Sequence, residues 1–326
     1  MLDQAHDLRQ LAVRRRRASP TRAGRPALLA VAGGKGGVGT TTVGLNLAIA
    51  VAETGRRTVF VDADARGADA ALLYGVEERH SLADVLAGRR TWGEAMQSGP
   101  GGVGLVAGGC KWNELYGERL EVQQSFPSEK NGSLFPVQHI NGTQAALAEQ
   151  LLESFNDGSL DADLVVIDVG NTIRGAASHI CRRADAVLMI TTPTAAAVMN
   201  TFSAIRTLTA KPIDGGLGPI DEPDGRLYLL INMSPAVGVA NVVHYRLAWA
   251  ARRLLGLQLR SAGHLTTADG AIPDGNNKQF PLNFRTLSVD TLQKLLVAES
   301  LLSWQRRGEF NGRPAGAIAE PLEMDF

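Results

Sequence analysis

Gly33-Gly34-Lys35-Gly36-Gly37-Val38-Gly39-Thr40-Thr41-Thr42 decides how this 326-residue chain is read. An apolar run precedes it at 28–32 and a helical pattern follows at 43–53. A strand, a glycine loop and a helix in that order make an anion cradle, because loop N–H groups and the positive end of the helix converge on one point. The ordinary phosphate-loop pattern places a lysine directly before the first hydroxyl residue. Here Thr40 stands at that position, and the lysine of the loop is the early one, Lys35.

Outward from the loop, short apolar runs alternate with longer helical patterns. Strands are predicted at 28–32, 58–62, 104–107, 164–168, 186–191, 227–232 and 259–264, and helices at 43–53, 144–155, 195–208 and 239–255. Several of the strands are apolar throughout, as in a sheet covered on both faces. The alternation predicts an α/β fold with a doubly wound, mostly parallel sheet and ligands at the carboxyl ends of its strands. Residues 121–143 read as a polar insertion without periodicity.

Two of those strand ends carry carboxylates. Phe60-Val61-Asp62-Ala63-Asp64 places two of them at i and i+2, on the same side of the chain. One can hold a magnesium–water shell while the other orients an attacking water. Asp163-Leu164-Val165-Val166-Ile167-Asp168 is an apolar strand ending in aspartate, which after a phosphate loop points to a carboxylate that serves magnesium through the ion's bound waters.

The Lys35-Gly36-Gly37-Val38-Gly39 pattern resembles the deviant Walker A loop of the MinD/ParA family of ATPases, over roughly residues 28–305. The resemblance implies a P-loop NTPase fold that binds ATP and Mg²⁺ through Gly34, Lys35, Gly36, Gly37, Val38, Gly39, Thr40, Thr41 and Thr42. It implies that Lys35 reaches across a homodimer formed on ATP, that Thr41, Asp62 and Asp168 serve the metal, that Asp64 activates water, and that Asn232 contacts adenine. The sequence departs from the family at Thr40 and at Asn171-Thr172, where a second glycine is absent. Loop amides still bind phosphate, but loss of one preorganised cation costs about 3 kcal/mol of transition-state stabilisation, by analogy with a deleted oxyanion donor. Turnover is therefore expected to be slow. A non-hydrolysing nucleotide sensor or scaffold stays open beside it, as does a DNA-segregating ATPase of the ParA kind.

The first residues carry a second resemblance. Leu2, Ala5, Leu8 and Leu11 make a short amphipathic stripe, too short to hold a helix alone. Asp3-Gln4-Ala5, followed by Leu8-Arg9, is similar to the activator motif of flagellar-number regulators of the FlhG type (YlxH, FleN). In that family the segment docks on the SRP-type GTPase FlhF and stimulates it, and Asp3, Gln4, Ala5, Leu8 and Arg9 are the matching partner-binding residues. The resemblance also implies flagellar switch-complex proteins as partners and a peripheral location at the inner membrane surface. Residues 289–305, with Leu292, Leu295, Leu296, Leu302 and Trp304, suit either a membrane-targeting helix or a helix packed on the domain.

Composition sets the bounds. Thirty-three basic and 33 acidic residues give no net charge, which argues against nucleic acid as a partner of the whole molecule. Cys110 and Cys181 lack metal spacing and read as buried small hydrophobes in a reducing compartment. No apolar run approaches the ~18 residues of a membrane span, so a soluble cytoplasmic protein is expected. The expected organisation is an activator helix with an Arg-rich linker (1–27), a nucleotide-binding domain (28–307) and a tail (308–326).

Overall fold

The computed structural model describes residues 25–64, 69–74, 80–108, 144–156, 158–209 and 226–266. Its frame is an eight-stranded sheet of β1 (Ala27–Gly33), β2 (Thr58–Asp62), β3 (Gln97–Ser98), β4 (Gly104–Val106), β5 (Leu164–Asp168), β6 (Ala186–Thr191), β7 (Leu227–Ser234) and β8 (Arg260–Thr266). The order across the sheet is β3-β4-β2-β5-β1-β6-β7-β8. Every pairing is parallel except β3 with β4. All seven strands read from the sequence are present, and the doubly wound class holds. The unread strand, β3, is a two-residue polar edge with no apolar signal.

Strand residues alternate between two cores. Leu28, Ala30 and Ala32 of β1 face one layer, with Val165, Ile167, Val187 and Met189 of the strands beside it. Over them pack α5 (Gln144–Ser154), α6 (Gly175–Arg183), α7 (Ala195–Thr209) and α8 (Val237–Leu255). The opposite face carries Leu29, Val31, Phe60, Val166 and Leu188, covered by Val43, Leu47, Ala48 and Val51 of α1 (Thr40–Glu53). Three short helices, α2 (Asp69–Tyr74), α3 (Leu82–Leu86) and α4 (Trp92–Ala95), lie between β2 and β3 in the chain. Buried strands with both faces covered explain why the runs were apolar rather than alternating. Cys181 is buried in the first layer, and burial pushes its thiol up to about 12, so it packs as an inert small hydrophobe. No helix of the described residues is long and apolar enough to cross a membrane.

One ion pair clamps the N-terminal ends of two adjacent strands. The Arg57 guanidinium donates to both oxygens of Asp163 at 3.2 and 2.7 Å and also pairs with Asp161. The backbone N–H of Arg57 donates to the same carboxylate at 3.0 Å, and the N–H of Asp163 donates to the Arg57 carbonyl at 2.8 Å. Desolvation raises the Asp163 carboxyl, but the hydrogen bonds and charge of Arg57 outweigh it and hold it below the usual range. A depressed acid stabilises the fold above its unfolded pKa and loses that contribution as pH falls through the folded value. Arg57→Ala should therefore destabilise the domain by about 1–2 kcal/mol at neutral pH. The gap to the natural protein should close below about pH 4. Urea melts across pH check both, and a gap that persists in acid would contradict the assignment.

Candidate functional site

The site forms where β1, β2 and β5 end together. Val31 is in register with Asp168, and Asp168 with Asp62. The peptide after each strand stays stitched to its neighbour: Val169 N–H donates to the Val31 carbonyl at 3.0 Å, Ala63 N–H to the Asp168 carbonyl at 2.8 Å, and Gly33 N–H to the Gly170 carbonyl at 2.9 Å. The glycine loop thus starts at a fixed height beside two carboxylates.

The loop itself turns outward. Lys35, Gly36 and Gly37 are exposed, and Val38 drops back into the core at 2% exposure. Gly39 is the N-cap of α1 with φ 87°, a left-handed conformation that favours glycine, and no side chain caps the helix. The first turn of α1 contains no acidic residue, so the positive end of its dipole and its first N–H groups are not neutralised from within. Thr40 is turned inward. It is 8% exposed, and a Cβ placed on Gly33 would lie 2.6 Å from its hydroxyl. Thr41 and Thr42 are half-buried at the same helix end.

Asp62 and Asp168 are both buried, at 1% and 0% exposure. Asp62 accepts N–H bonds from Asp64 at 3.1 Å and Ala70 at 3.2 Å, and Asp168 accepts one from Gly170 at 2.9 Å. Those bonds do not suffice for Asp62. Desolvation first, and the Asp168 charge second, push its carboxyl well above the ordinary range. Two adjacent buried carboxylates at strand ends beside an anion cradle suit a hard divalent cation that keeps several waters and phosphate oxygens as its other ligands. No group of three or more His, Cys, Asp or Glu side chains forms a self-sufficient metal site among the described residues. The donor set therefore fits magnesium brought with a phosphate ligand rather than an all-protein cage.

Asp64 lies over the loop that follows β5. A Cβ built on Gly170, whose φ is 73°, would meet the Asp64 carboxylate at 2.3 Å. A Cβ on Gly36 would lie 3.4 Å from the Asn171 amide. Asn232 is 9% exposed and supports the loop from below. Its Nδ2 donates to the Val38 carbonyl at 2.8 Å, and its Oδ1 accepts from Met233 N–H at 2.9 Å. One amide hydrogen and one lone pair of that side chain remain for a ligand.

Two contributions, those of Met233 and Thr201, escaped the sequence reading. Lys35, Gly36, Gly37 and Val38 form one wall of an open cavity of about 450 Å³, and Thr192, Pro193, Thr194, Met233 and Pro235 form the other. Met233 has φ 54°, an uncommon conformation for a non-glycine residue and one that clusters at ligand sites. Nothing in the sequence announces it. The second is Thr201 of α7, whose backbone presses on the loop. A Cβ on Gly34 would lie 2.3 Å from Thr201 N and 2.4 Å from its Cα. The structure thus brings Gly34 to Thr42, Asp62, Asp64, Asp168 and Asn232 into one region. Asp3, Gln4, Ala5, Leu8 and Arg9, the 121–143 insertion, Cys110 and the 289–305 pattern lie outside the described residues.

A doubly wound, mostly parallel sheet whose first strand feeds a glycine loop and an uncapped helix, with aspartates ending the next two strands on one side of it, β5 and β2, defines a P-loop nucleotide-binding domain. Residues 29–294 match the CobQ/CobB/MinD/ParA nucleotide binding domain, and the chain belongs to that family. It is 30% identical over 181 residues to the antiactivator FleN of Pseudomonas aeruginosa, covering 56% of each chain. It is 25% identical over 186 residues to the flagellum site-determining protein YlxH of Helicobacter pylori, covering 56% of this chain and 54% of that one. The chain thus spans little more than half the length of these curated relatives. Among solved structures, the septum site-determining protein MinD of Pyrococcus horikoshii, complexed with Mg-ADP, superposes with a TM-score of 0.56 at 19% identity. That match covers 87% of this chain and all of that one. It is a likeness of fold.

Two glycines of the loop should respond differently to a methyl group. Gly34→Ala drives a Cβ into the α7 backbone, which cannot yield as a side chain tip would, and should cost about 1–3 kcal/mol. Gly36→Ala, exposed and 3.4 Å from a side-chain amide, should cost under about 0.5 kcal/mol. Thermal melts of the two variants check the contrast, and equal losses would contradict the packing of α7 on the loop.

Proposed function

We propose that the protein is an ATP-binding switch that regulates flagellar number and placement. What carries the reading is the uncapped end of α1 with exposed Lys35-Gly36-Gly37, set beside the buried Asp62 and Asp168 pair. Likeness to FleN and YlxH supplies the flagellar context. Amides of residues 34–42 would bind the phosphates, and Asn232 and the Met233 side of the cavity would take the base. Thr41, Asp62 and Asp168 would hold Mg²⁺, directly or through its waters. Bound there, the ion would neutralise phosphate charge and lower the cost of the two buried carboxylates together. Asp64 would orient an attacking water, and Lys35 of a second copy would supply the cation that Thr40 does not. ATP would thereby favour a homodimer, and the dimer would favour the inner membrane surface and contact with flagellar switch-complex proteins. The arrangement of the chain follows: an activator segment within 1–27, the domain over 28–307, and a tail over 308–326.

The first dozen residues would act on a second enzyme. Gln4 can order water and Arg9 can offset phosphate charge in the site of the SRP-type GTPase FlhF, the two contributions that phosphoryl transfer most often recruits. The inward turn of Thr40 favours one competing reading, a nucleotide sensor or scaffold that does not hydrolyse ATP.

Calorimetry with MgATP on the natural protein and on Thr40→Lys separates these. Both should bind, the lysine form about tenfold more tightly through one charge-assisted contact. Turnover by the natural protein should be slow and should fall further in Asp64→Ala. Absence of binding to either form would overturn the nucleotide reading, and binding with no turnover would leave the sensor. For the second enzyme, a peptide of residues 1–20 should stimulate GTP hydrolysis by FlhF, and Gln4→Ala should remove the stimulation. No stimulation at saturating peptide would remove FlhF from the account.

A further inference from the structure

Helix α8 spends its inner side on the core, where Ala240, Val243, Leu247 and Ala251 are buried. Its outer side presents Val242, Tyr245 and Trp249, which are 50%, 70% and 59% exposed. Spacings of three and four residues place them in one stripe, about 10 Å long. Large apolar side chains scattered singly are ordinary on a surface, but a tyrosine and a tryptophan in line with a valine are not. Arg246, Arg252 and Arg253 are exposed around the stripe, and none of their guanidinium groups makes an ion pair or hydrogen bond among the described residues. Neither α7 nor α8 contains an aspartate or glutamate, while together they carry Arg206 and those three arginines. In a chain with equal numbers of acidic and basic residues this is a local excess of positive charge. Exposed Trp, Tyr and Arg in one cluster is the composition of binding hot spots.

The chain contains a segment of complementary composition. Residues 319–326 read Ala319-Glu320-Pro321-Leu322-Glu323-Met324-Asp325-Phe326, with three acidic side chains, three large apolar ones and no basic one. We infer that this segment docks on the Val242, Tyr245 and Trp249 stripe of α8, its carboxylates meeting Arg246, Arg252 and Arg253. The dimensions agree. From Leu322 to Phe326 is at most about 13 Å of extended chain, against about 10 Å of stripe. The stretch 267–321 is long enough in contour to reach any face of a domain of this size, and tethering supplies a local concentration on the order of millimolar. A lipid surface would also attract the arginines. A helix lying in a membrane interface, however, buries a broad apolar face, and that face of α8 is already packed on the sheet. What remains exposed is the Val242, Tyr245 and Trp249 stripe, with Val237 and Val239 in the first turn and Leu254 in the last, a surface the length of one segment of chain. The inference stands apart from nucleotide binding.

The test uses the full-length chain with its own segment disabled by Leu322→Asp, Met324→Asp and Phe326→Asp. A fluorescent peptide of residues 317–326 is titrated and read by anisotropy. Saturable binding is expected, weaker on the unaltered chain, whose own segment competes. Trp249→Ala should weaken it about tenfold or more. Arg246→Glu with Arg253→Glu should do the same, and a peptide carrying Glu320→Lys, Glu323→Lys and Asp325→Lys should recover binding to that reversed protein, a rescue that a misfolded variant cannot give. No saturable binding to the disabled chain overturns the inference, as does binding that survives both sets of substitutions. So does a third result, in which the peptide fails while phosphatidylserine vesicles bind the chain through Trp249 and the arginines, since that assigns the stripe to lipid.

Discussion

Two carboxylates side by side under the glycine loop set the terms for everything around them. Asp62 and Asp168 lie side by side in the β2–β5 register, nearly without solvent, and burial first and the charge of Asp168 second oppose ionisation of Asp62. Backbone N–H groups from Asp64, Ala70 and Gly170 offset part of that cost. Such a pair at the carboxyl ends of central strands, next to a helix end of opposite sign, has the charges that suit a cation and an anion bound together. Either ligand alone would leave one half of the site uncompensated.

The same seam connects the site to the rest of the domain. The loop is held from the β5 side by the Gly33–Gly170 hydrogen bond, from the β7 side by Asn232 on Val38, and from above by the α7 backbone on Gly34. Pro235, on the cavity wall, is two residues before α8 begins. The loop therefore touches α7 at Gly34, and the Met233–Pro235 wall runs directly into α8, the helix that carries the aromatic stripe.

Much of this was legible in the residues. The central strands are apolar along their whole length because both faces are covered, and their alternation with helical patterns carries the sheet class. The loop was legible because its chemistry demands glycines, and Asp62, Asp64 and Asp168 because each follows an apolar run. The misses have physical causes. Helix α6 begins at a glycine behind Arg174 and has no side-chain cap, so no start signal marks it. The edge strand β3 is too short and polar to show a period. The contact of Thr201 with Gly34 is a tertiary approach between elements far apart in sequence, and the left-handed backbone of Met233 accompanies its N–H bond to Asn232 Oδ1, whose amide in turn holds the loop. Positions of that kind are fixed by the assembled fold rather than by local preference.

The central claim is that the loop amides form a working anion cradle although Thr40 occupies the lysine position. Amide hydrogen exchange, followed residue by residue with and without saturating MgATP, tests it most directly. Slowed exchange at residues 34–42, together with 168–171 beside the carboxylate pair, is the result the account requires. Unchanged exchange across both segments would contradict it.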